Sequence, residues 1–214
     1  MRIAIQSSGR LREGSLSLLE GWGLQVNREN GRTLLIPSKN GEAEIVMVRH
    51  SDIPQYIQYG AADLGIVGEN VLYENRFNVD VVKRLGFGRC NLIVAVPEKS
   101  PIRCVPELEG ERIATSYPNS LRKWLKENRI SASIVEICGA VEVTTVLGLA
   151  DGICDLTETG RTLKENGLIP IAKILESRAV LICSRRVTVE TDRFLRKVLG
   201  SNDENIRIQT VELL

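Results

Sequence analysis

The order of short apolar runs and amphipathic segments in the first third of the chain constrains its fold more than any other feature. Ile3–Ile5 is a short β-branched run. Leu11, Ser15, Leu18, Leu19 and Trp22 then share one helical face, and Gly23 marks the stop. Ala43–Val48 reads as a second strand. Ser51 and Asp52 read as the cap of a helix carrying Ile53, Tyr56 and Ile57, with Pro54 in its first turn and Gly60 at its end. Asp63–Val67 is a third strand. A β-α-β-α-β order with connections of a few residues predicts a parallel sheet covered by helices.

The pattern restarts at the strand Asn91–Val96. Arg112–Ser116 is followed by a helix that Tyr117, Pro118, Asn119 and Ser120 open, with Leu121, Trp124 and Leu125 turned inward. Ser133–Ile137, a helix over Val141–Leu149 and the strand Gly152–Leu156 complete the unit. A strand at Val180–Ser184, a helix over Thr191–Leu199 and a strand at Ile206–Val211 follow. Two similar α/β units with a late return predict a two-lobed α/β architecture with a central cleft: lobe I over 1–89 plus 179–214, lobe II over 90–178. Such clefts bind small molecules.

Composition narrows the partners. Twenty-eight Lys and Arg against 27 Asp and Glu leave a formal charge of +1. A basic excess for nucleic acid or for a membrane surface is therefore missing. The opening M-R-I-A-I-Q-S-S-G-R has no apolar core of a signal peptide, and no run approaches the roughly 18 apolar residues of a membrane span. The five cysteines include no C-x-x-C pair, so scattered, buried, reduced thiols in the cytoplasm are expected. His50 is the sole histidine, a surface or strand-end residue. Zinc sites of several histidines are thus excluded, and so is a serine triad with a spare base. Catalysis must rest on carboxylates, arginines, backbone amides or a bound cation.

The densest chemistry is D-G-I-C-D-L-T-E-T-G-R-T-L at 151–163. A buried strand ends in carboxylates, and a Thr159-Gly160-Arg161-Thr162 turn then opens a helix. Backbone amides at a helix start, two hydroxyls and a glycine that permits close approach form a phosphate cradle. Asp155 and Glu158 beside it could hold ribose hydroxyls, directly or through a cation. A plain turn with Thr159 or Thr162 as N-cap fits the same residues. Ser7, Ser8, Gly9 and Arg10 form a second candidate, where small residues leave room for an anion that Arg10 would chelate. Arg32 and Arg49, at strand entries and exits of the same lobe, could join Arg10 on a leaving pyrophosphate. Gly65–Gly68 reads first as a tight turn.

With these residues laid out, the chain resembles the short form of ATP phosphoribosyltransferase, the first enzyme of histidine biosynthesis. The resemblance runs through I-A-I-Q-S-S-G-R-L at 3–11, V-R-H-S-D-I-P at 48–54, G-A-A-D-L-G-I-V-G at 60–68 and L-G-F-G-R-C at 85–90. It continues through R-I-A-T-S-Y-P at 112–118, G-A-V-E at 139–142 and the long block at 148–168. It implies a fold like the type II periplasmic binding proteins. It also implies transfer of phosphoribose from phosphoribosyl pyrophosphate to N1 of ATP, with Mg²⁺ and release of pyrophosphate.

Carried over by position, Thr159, Gly160, Arg161, Thr162 and Leu163 would grip the 5-phosphate, with Glu142 and Asp155 on the ribose. Arg10 and Arg32 would face the pyrophosphate, and Arg49, Asp63 and Tyr117 would line the nucleotide side. The family's first loop often carries a lysine where this chain has Ser7 and Ser8, which takes one cation from the pyrophosphate side. The chain ends at Leu214, without the histidine-sensing domain of long forms. The resemblance therefore implies a regulatory subunit similar to a histidyl-tRNA synthetase catalytic domain, a hetero-octamer with it and a homodimer alone. Two other readings share the fold. A solute receptor would have no reason to keep the 151–163 block. A catalytically weak assembly subunit would have no reason to keep Arg10, Arg32, Glu142 and Asp155 together.

Overall fold

The computed structural model describes residues 1–26 and 34–200. The expected strand at Ile206–Val211 lies outside the described residues. Helices and strands alternate in the order β1 (Arg2–Gln6), α1 (Arg12–Gly21), β2 (Leu35–Pro37), β3 (Glu44–Val48), α2 (Ile53–Gln58), β4 (Leu64–Gly68), α3 (Glu69–Glu74), β5 (Val79–Arg84) and β6 (Cys90–Pro97). Then come β7 (Arg112–Thr115), α4 (Pro118–Asn128), β8 (Ser133–Glu136), α5 (Glu142–Val146), β9 (Gly152–Thr157), α6 (Arg161–Glu165), β10 (Leu168–Ser177), β11 (Ala179–Ser184) and α7 (Val189–Leu199). They form two compact units. Unit 1 gathers the described residues within Met1–Leu72, Arg76–Gly88 and Arg178–Leu214, and unit 2 those within Tyr73–Asn75 and Arg89–Ser177.

Unit 1 is a six-stranded sheet in the order β2-β3-β1-β4-β11-β5. β1 runs parallel to β3 and β4. Alternation along β1 sends Ile3 and Ile5 to one apolar layer, with Leu16 and Leu19 of α1 and Phe194 and Leu195 of α7. Ala4 goes to the other layer, with Ile53 and Ile57 of α2. Both faces are covered, so β4 (L-G-I-V-G) is buried at every position, the pattern of a central parallel strand. Gly65 and Gly68 therefore belong to a strand and not to the expected turn. A Cβ on Gly65 would lie 2.7 Å from Ile53 Cγ2, so glycine there lets α2 pack closely.

Unit 2 is a five-stranded sheet in the order β10-β6-β9-β7-β8. β7 is parallel to β8 and β9, whereas β6 is antiparallel to β9 and β10. Leu121, Trp124 and Leu125 of α4 pack on one face with Val94 and Ile113, as expected, and Leu163 of α6 packs on the other with Ile153 and Leu168.

The expected parallel arrangement is found for β1, β3 and β4, and antiparallel strands flank it. In unit 1, β2 pairs antiparallel to β3, because the short turn between them can only make a hairpin. β11 is antiparallel to both of its neighbours. The helix expected over Val141–Leu149 shrinks to Glu142–Val146. Val146 and Leu147 are 74% and 75% exposed, so the second half of that apolar run has no core to meet. Tyr56 is also exposed, while Ile53 and Ile57 are buried. No side chain caps α2: the Ser51 hydroxyl instead donates to Asp52 Oδ1 at 2.8 Å. All five cysteines are free, but Cys104 and Cys138 are exposed and only Cys90, Cys154 and Cys183 are buried.

Candidate functional site

In open α/β sheets, ligands bind beyond the carboxyl ends of the parallel strands. In unit 1 those ends belong to β1, β3 and β4. β1 runs into Ser7–Arg10. Gln6 Oε1 accepts the Leu11 amide at 3.0 Å, closing the loop on itself. Gly9 sits at φ 103°, a backbone conformation that favours glycine, and a Cβ there would lie 2.5 Å from Gln6 Nε2 and push that side chain aside. The Arg10 guanidinium donates to the Gly88 carbonyl. Arg49, at the end of β3, is exposed.

His50 follows Arg49 and is half-buried. Its Nε2 accepts the Gly68 amide at 2.8 Å. Burial first, and then the Arg10 charge, push its pKa down to about 4. Arg32 lies outside the described residues. Asp63 does not join this end. It precedes β4 at the amino end of the sheet, where its Oδ2 accepts the Arg2 amide at 2.7 Å.

In unit 2 the carboxyl ends of β7, β8 and β9 carry the remaining candidates. Thr115 Oγ1 donates to the Cys154 carbonyl at 2.7 Å and accepts the Tyr117 amide at 2.9 Å. Ser116 Oγ donates to the Ile137 carbonyl at 2.6 Å. The Ser116–Tyr117 turn is thereby tied to both neighbouring strands. Beyond β8, Glu142 starts α5. Asp155 lies on β9, close enough to Glu142 to feel its charge. Burial first, and then Glu142, raise the Asp155 pKa to about 6.

After β9 the chain turns through Glu158, Thr159 and Gly160. Thr157 Oγ1 accepts the Gly160 amide at 2.9 Å, and Thr159 Oγ1 accepts the Arg161 amide at 3.4 Å. Gly160, at φ 76° and ψ 2°, is the N-cap of α6. Neither Thr159 nor Thr162 caps the helix. Among the described residues nothing accepts from the Thr162 and Leu163 amides. The exposed Thr162 hydroxyl stands beside them, so the turn offers an oxygen ligand two open N–H donors, a hydroxyl and a helix start. The Leu163 side chain is core, which leaves only its amide for such a role. The Arg161 guanidinium is 82% exposed and bound to Glu165 at 2.7 Å. Glu158 is exposed.

Sequence reasoning missed Gln6, Thr157 and Glu74. The Glu74 carboxylate accepts the Asn119 and Ser120 amides at 2.8 and 2.9 Å, and its carbonyl accepts Asn119 Nδ2 at 3.1 Å. It caps α4 from 45 residues away in sequence, so no local pattern could reveal it. Thr157 was within reach, since a Thr three residues before a turn glycine is a recognisable ST motif.

The two sheets and their crossovers define a class first: α/β proteins with the periplasmic-binding-protein-like fold. A histidine kinase sensor domain with similarity to periplasmic binding proteins matches with a TM-score of 0.61, over 93% of this chain and 91% of that one. Its 13% identity makes this a likeness of fold alone. The narrower assignment comes from closer relatives. The ATP phosphoribosyltransferase family model matches residues 49–201. An ATP phosphoribosyltransferase of Cytophaga hutchinsonii is 42% identical over 199 residues, which is 93% of this chain and 69% of the relative. A chain of the ATP phosphoribosyl transferase (HisG:HisZ) complex from Thermotoga maritima matches with a TM-score of 0.76 and 31% identity, over 93% of this chain and 97% of that one. The chain belongs to the ATP phosphoribosyltransferase family, pentosyl transferases of histidine biosynthesis.

Proposed function

We propose that the chain transfers the 5-phosphoribosyl group of phosphoribosyl pyrophosphate to N1 of the adenine of ATP, with release of pyrophosphate. The observation that carries this reading is the Thr157–Leu163 turn, with its left-handed Gly160 and open amides, in a chain of this family. In unit 2 the Thr162 hydroxyl and the amides of the turn bind the 5-phosphate. Glu142 and Asp155 hold the ribose hydroxyls, and Tyr117 lines the nucleotide. In unit 1, Arg10 and Arg32 meet the pyrophosphate, and Arg49 meets the nucleotide. Asp63 is better read as a clasp on Arg2 than as a nucleotide ligand.

Displacement at an anomeric carbon passes through an oxocarbenium-like state while negative charge gathers on the leaving pyrophosphate. Adenine N1 already carries its lone pair, so no side chain has to remove a proton before attack. The protein's share is to align two polyanions and to stabilise the departing one with arginines. This is consistent with a site whose nearby histidine is held neutral.

Mg²⁺ is commonly held by one or two carboxylates together with substrate phosphates. Among the described residues no group of three or more His, Cys, Asp or Glu could cage a metal. Glu142 and Asp155 are the carboxylate pair that would share a substrate-borne ion, which when bound neutralises phosphate charge.

The regulatory partner is a subunit similar to a histidyl-tRNA synthetase catalytic domain, assembling with this chain as a hetero-octamer, and the chain alone is a homodimer. The match to a chain from a HisG:HisZ complex supports the two-component reading. The working compartment is the cytoplasm; among the described residues no helix is long and apolar enough to cross a membrane. The near-ultraviolet absorbance of N1-ribosylated adenine tests the whole. Purified chain with ATP, phosphoribosyl pyrophosphate and Mg²⁺, alone and with the regulatory subunit, should show turnover in at least one arm. Silence in both, with ligand binding intact, would point to a receptor or an inactive subunit.

A further inference from the structure

His50 has no role in the reaction as drawn, yet its placement is specific. In the sheet, β1 lies between β3 and β4. His50 leaves the end of β3, and its Nε2 takes the amide of Gly68 at the end of β4. Strands in a sheet are about 4.8 Å apart, so this one bond spans the carboxyl end of β1, where the Ser7–Arg10 loop departs. A Cβ on Gly68 would lie 2.3 Å from Asn70 Oδ1 and 3.2 Å from both His50 Nε2 and Cε1, so the imidazole and Asn70 both close on this glycine. An imidazole whose Nε2 accepts must carry its proton on Nδ1, and an imidazolium has no acceptor at all. The nearby Arg10 charge and the burial of the ring both oppose protonation.

We infer that His50 is a positioning residue: a neutral, Nδ1-protonated imidazole that straps the ends of β3 and β4 across β1, fixing the loop that presents Arg10 and the turn that presents Arg49. The inference rests on the reading that Arg10 meets pyrophosphate. A neutral strap has a clear advantage over a cationic one. It holds the strand ends without adding repulsion to Arg10, and it does not compete with Arg10 for the anion.

The test has two parts on the full chain. Because His50 is the sole histidine, ¹⁵N-histidine labelling gives one pair of ring nitrogen signals, which report the tautomer directly. Nδ1 should be protonated and Nε2 should be an acceptor, whereas free imidazole side chains in water favour the opposite tautomer. A protonated Nε2 at neutral pH overturns the inference regardless of activity.

The second part measures binding of inorganic pyrophosphate by calorimetry to the wild type and to His50→Ala, His50→Asn and His50→Gln. The Gln Oε1 reaches the position of Nε2, whereas the Asn amide reaches only that of Nδ1. His50→Gln should therefore stay within about twofold of the wild type, while His50→Ala and His50→Asn weaken binding roughly fivefold or more. Equal binding by all four overturns the strap and leaves Arg10 in place. A Gln variant as weak as Ala overturns the acceptor role. A wild type that does not bind pyrophosphate overturns the reading of Arg10, and the ring-nitrogen signals then decide the strap by themselves.

Discussion

Asp63 and Asp151 occupy the same place in the two units and end up with different loads. Each precedes a parallel strand and closes a ring with the arginine that opens the neighbouring one. The Asp63 amide donates to the Arg2 carbonyl at 2.9 Å, and the Arg2 amide donates back to Asp63 Oδ2 at 2.7 Å. The Asp151 amide donates to the Arg112 carbonyl at 2.8 Å, and the Arg112 amide returns a bond to Asp151 Oδ2 at 3.0 Å. The side chains then diverge. Arg112 turns its guanidinium onto the same Asp151 carboxylate, Nε to Oδ2 at 3.0 Å and Nη2 to Oδ1 at 2.9 Å. Arg2 sends its guanidinium to Glu44 instead, at 3.0 Å. The amino ends of the two sheets thus share one backbone device, while the carboxyl ends carry different chemistry: arginines and a neutral imidazole in unit 1, and carboxylates and an amide-lined turn in unit 2. A motif position can be set by the first kind of demand as well as by the second, and the Arg2 clasp gives Asp63 a role of the first kind.

The sharpest way to break this comparison is to remove one carboxylate from each end. Asp155→Asn should lower turnover at least tenfold, about 1.4 kcal/mol of transition-state stabilisation, because the ribose loses a charged acceptor. Asp63→Asn should leave kcat within about twofold, since its work is a backbone clasp. Equal losses would put Asp63 back among the substrate residues. Asp155→Asn should also stabilise the fold at neutral pH. The native pKa of about 6 lies above the ordinary 3.8, so the native state holds the extra proton between those values. Stability contributed by the protonated form is full below about pH 4 and falls as pH rises through 6. At pH 7 the variant should gain up to about 3 kcal/mol over the wild type, read by urea unfolding.

The clasps themselves come next. Asp151→Asn should cost unit 2 about 2 kcal/mol, because one carboxylate receives a backbone amide and both arms of a guanidinium that is half exposed. Asp63→Asn should cost about 1 kcal/mol, since Glu44 keeps the Arg2 side chain. The difference should narrow in acid. The hydrogen bond and charge of Arg112 hold the Asp151 carboxyl below its usual range, so its contribution is present above the ordinary carboxylate pKa and is lost as pH falls below it.

Helix caps show what the amino-acid order can and cannot reveal. In unit 1, α7 is capped from next door, with Thr188 Oγ1 accepting the Thr191 amide at 3.2 Å, a signal readable in T-V-E-T even though the expected helix over Thr191–Leu199 begins two residues late. In unit 2, α4 is capped by Glu74, which no local pattern announces. Glu74→Ala should cost about 1–2 kcal/mol and Thr188→Ala about 1, with unfolding midpoints as the measure. The same division runs through the rest of the molecule. The buried runs of β1, β4, β6 and β9 and the Thr157–Leu163 turn are written in consecutive residues, so they were legible. β5 and β10 were not, because V-D-V-V-K-R and L-I-P-I-A-K-I-L-E-S mix polar and apolar residues as partly exposed strands do. The Asp63 clasp, the Gln6 lock and the His50 strap depend on residues brought together from different strands.

The smallest expected effect separates the two side chains inside the turn. Thr162 presents its hydroxyl beside two open amides, so Thr162→Ala should weaken binding of the ribosyl donor roughly fivefold, the worth of about 1 kcal/mol of hydrogen bonding. Arg161 stands at the adjacent position, yet its guanidinium is engaged by Glu165 in an exposed i, i+4 pair, and such pairs contribute little. Arg161→Ala should therefore change donor affinity by less than about twofold, since what the turn uses at this position is backbone. Calorimetric titration of both variants with phosphoribosyl pyrophosphate decides the matter. Equal losses would mean that the Arg161 side chain leaves Glu165 to share the grip, and unit 2 would then hold its anion with a cation, as unit 1 is proposed to do.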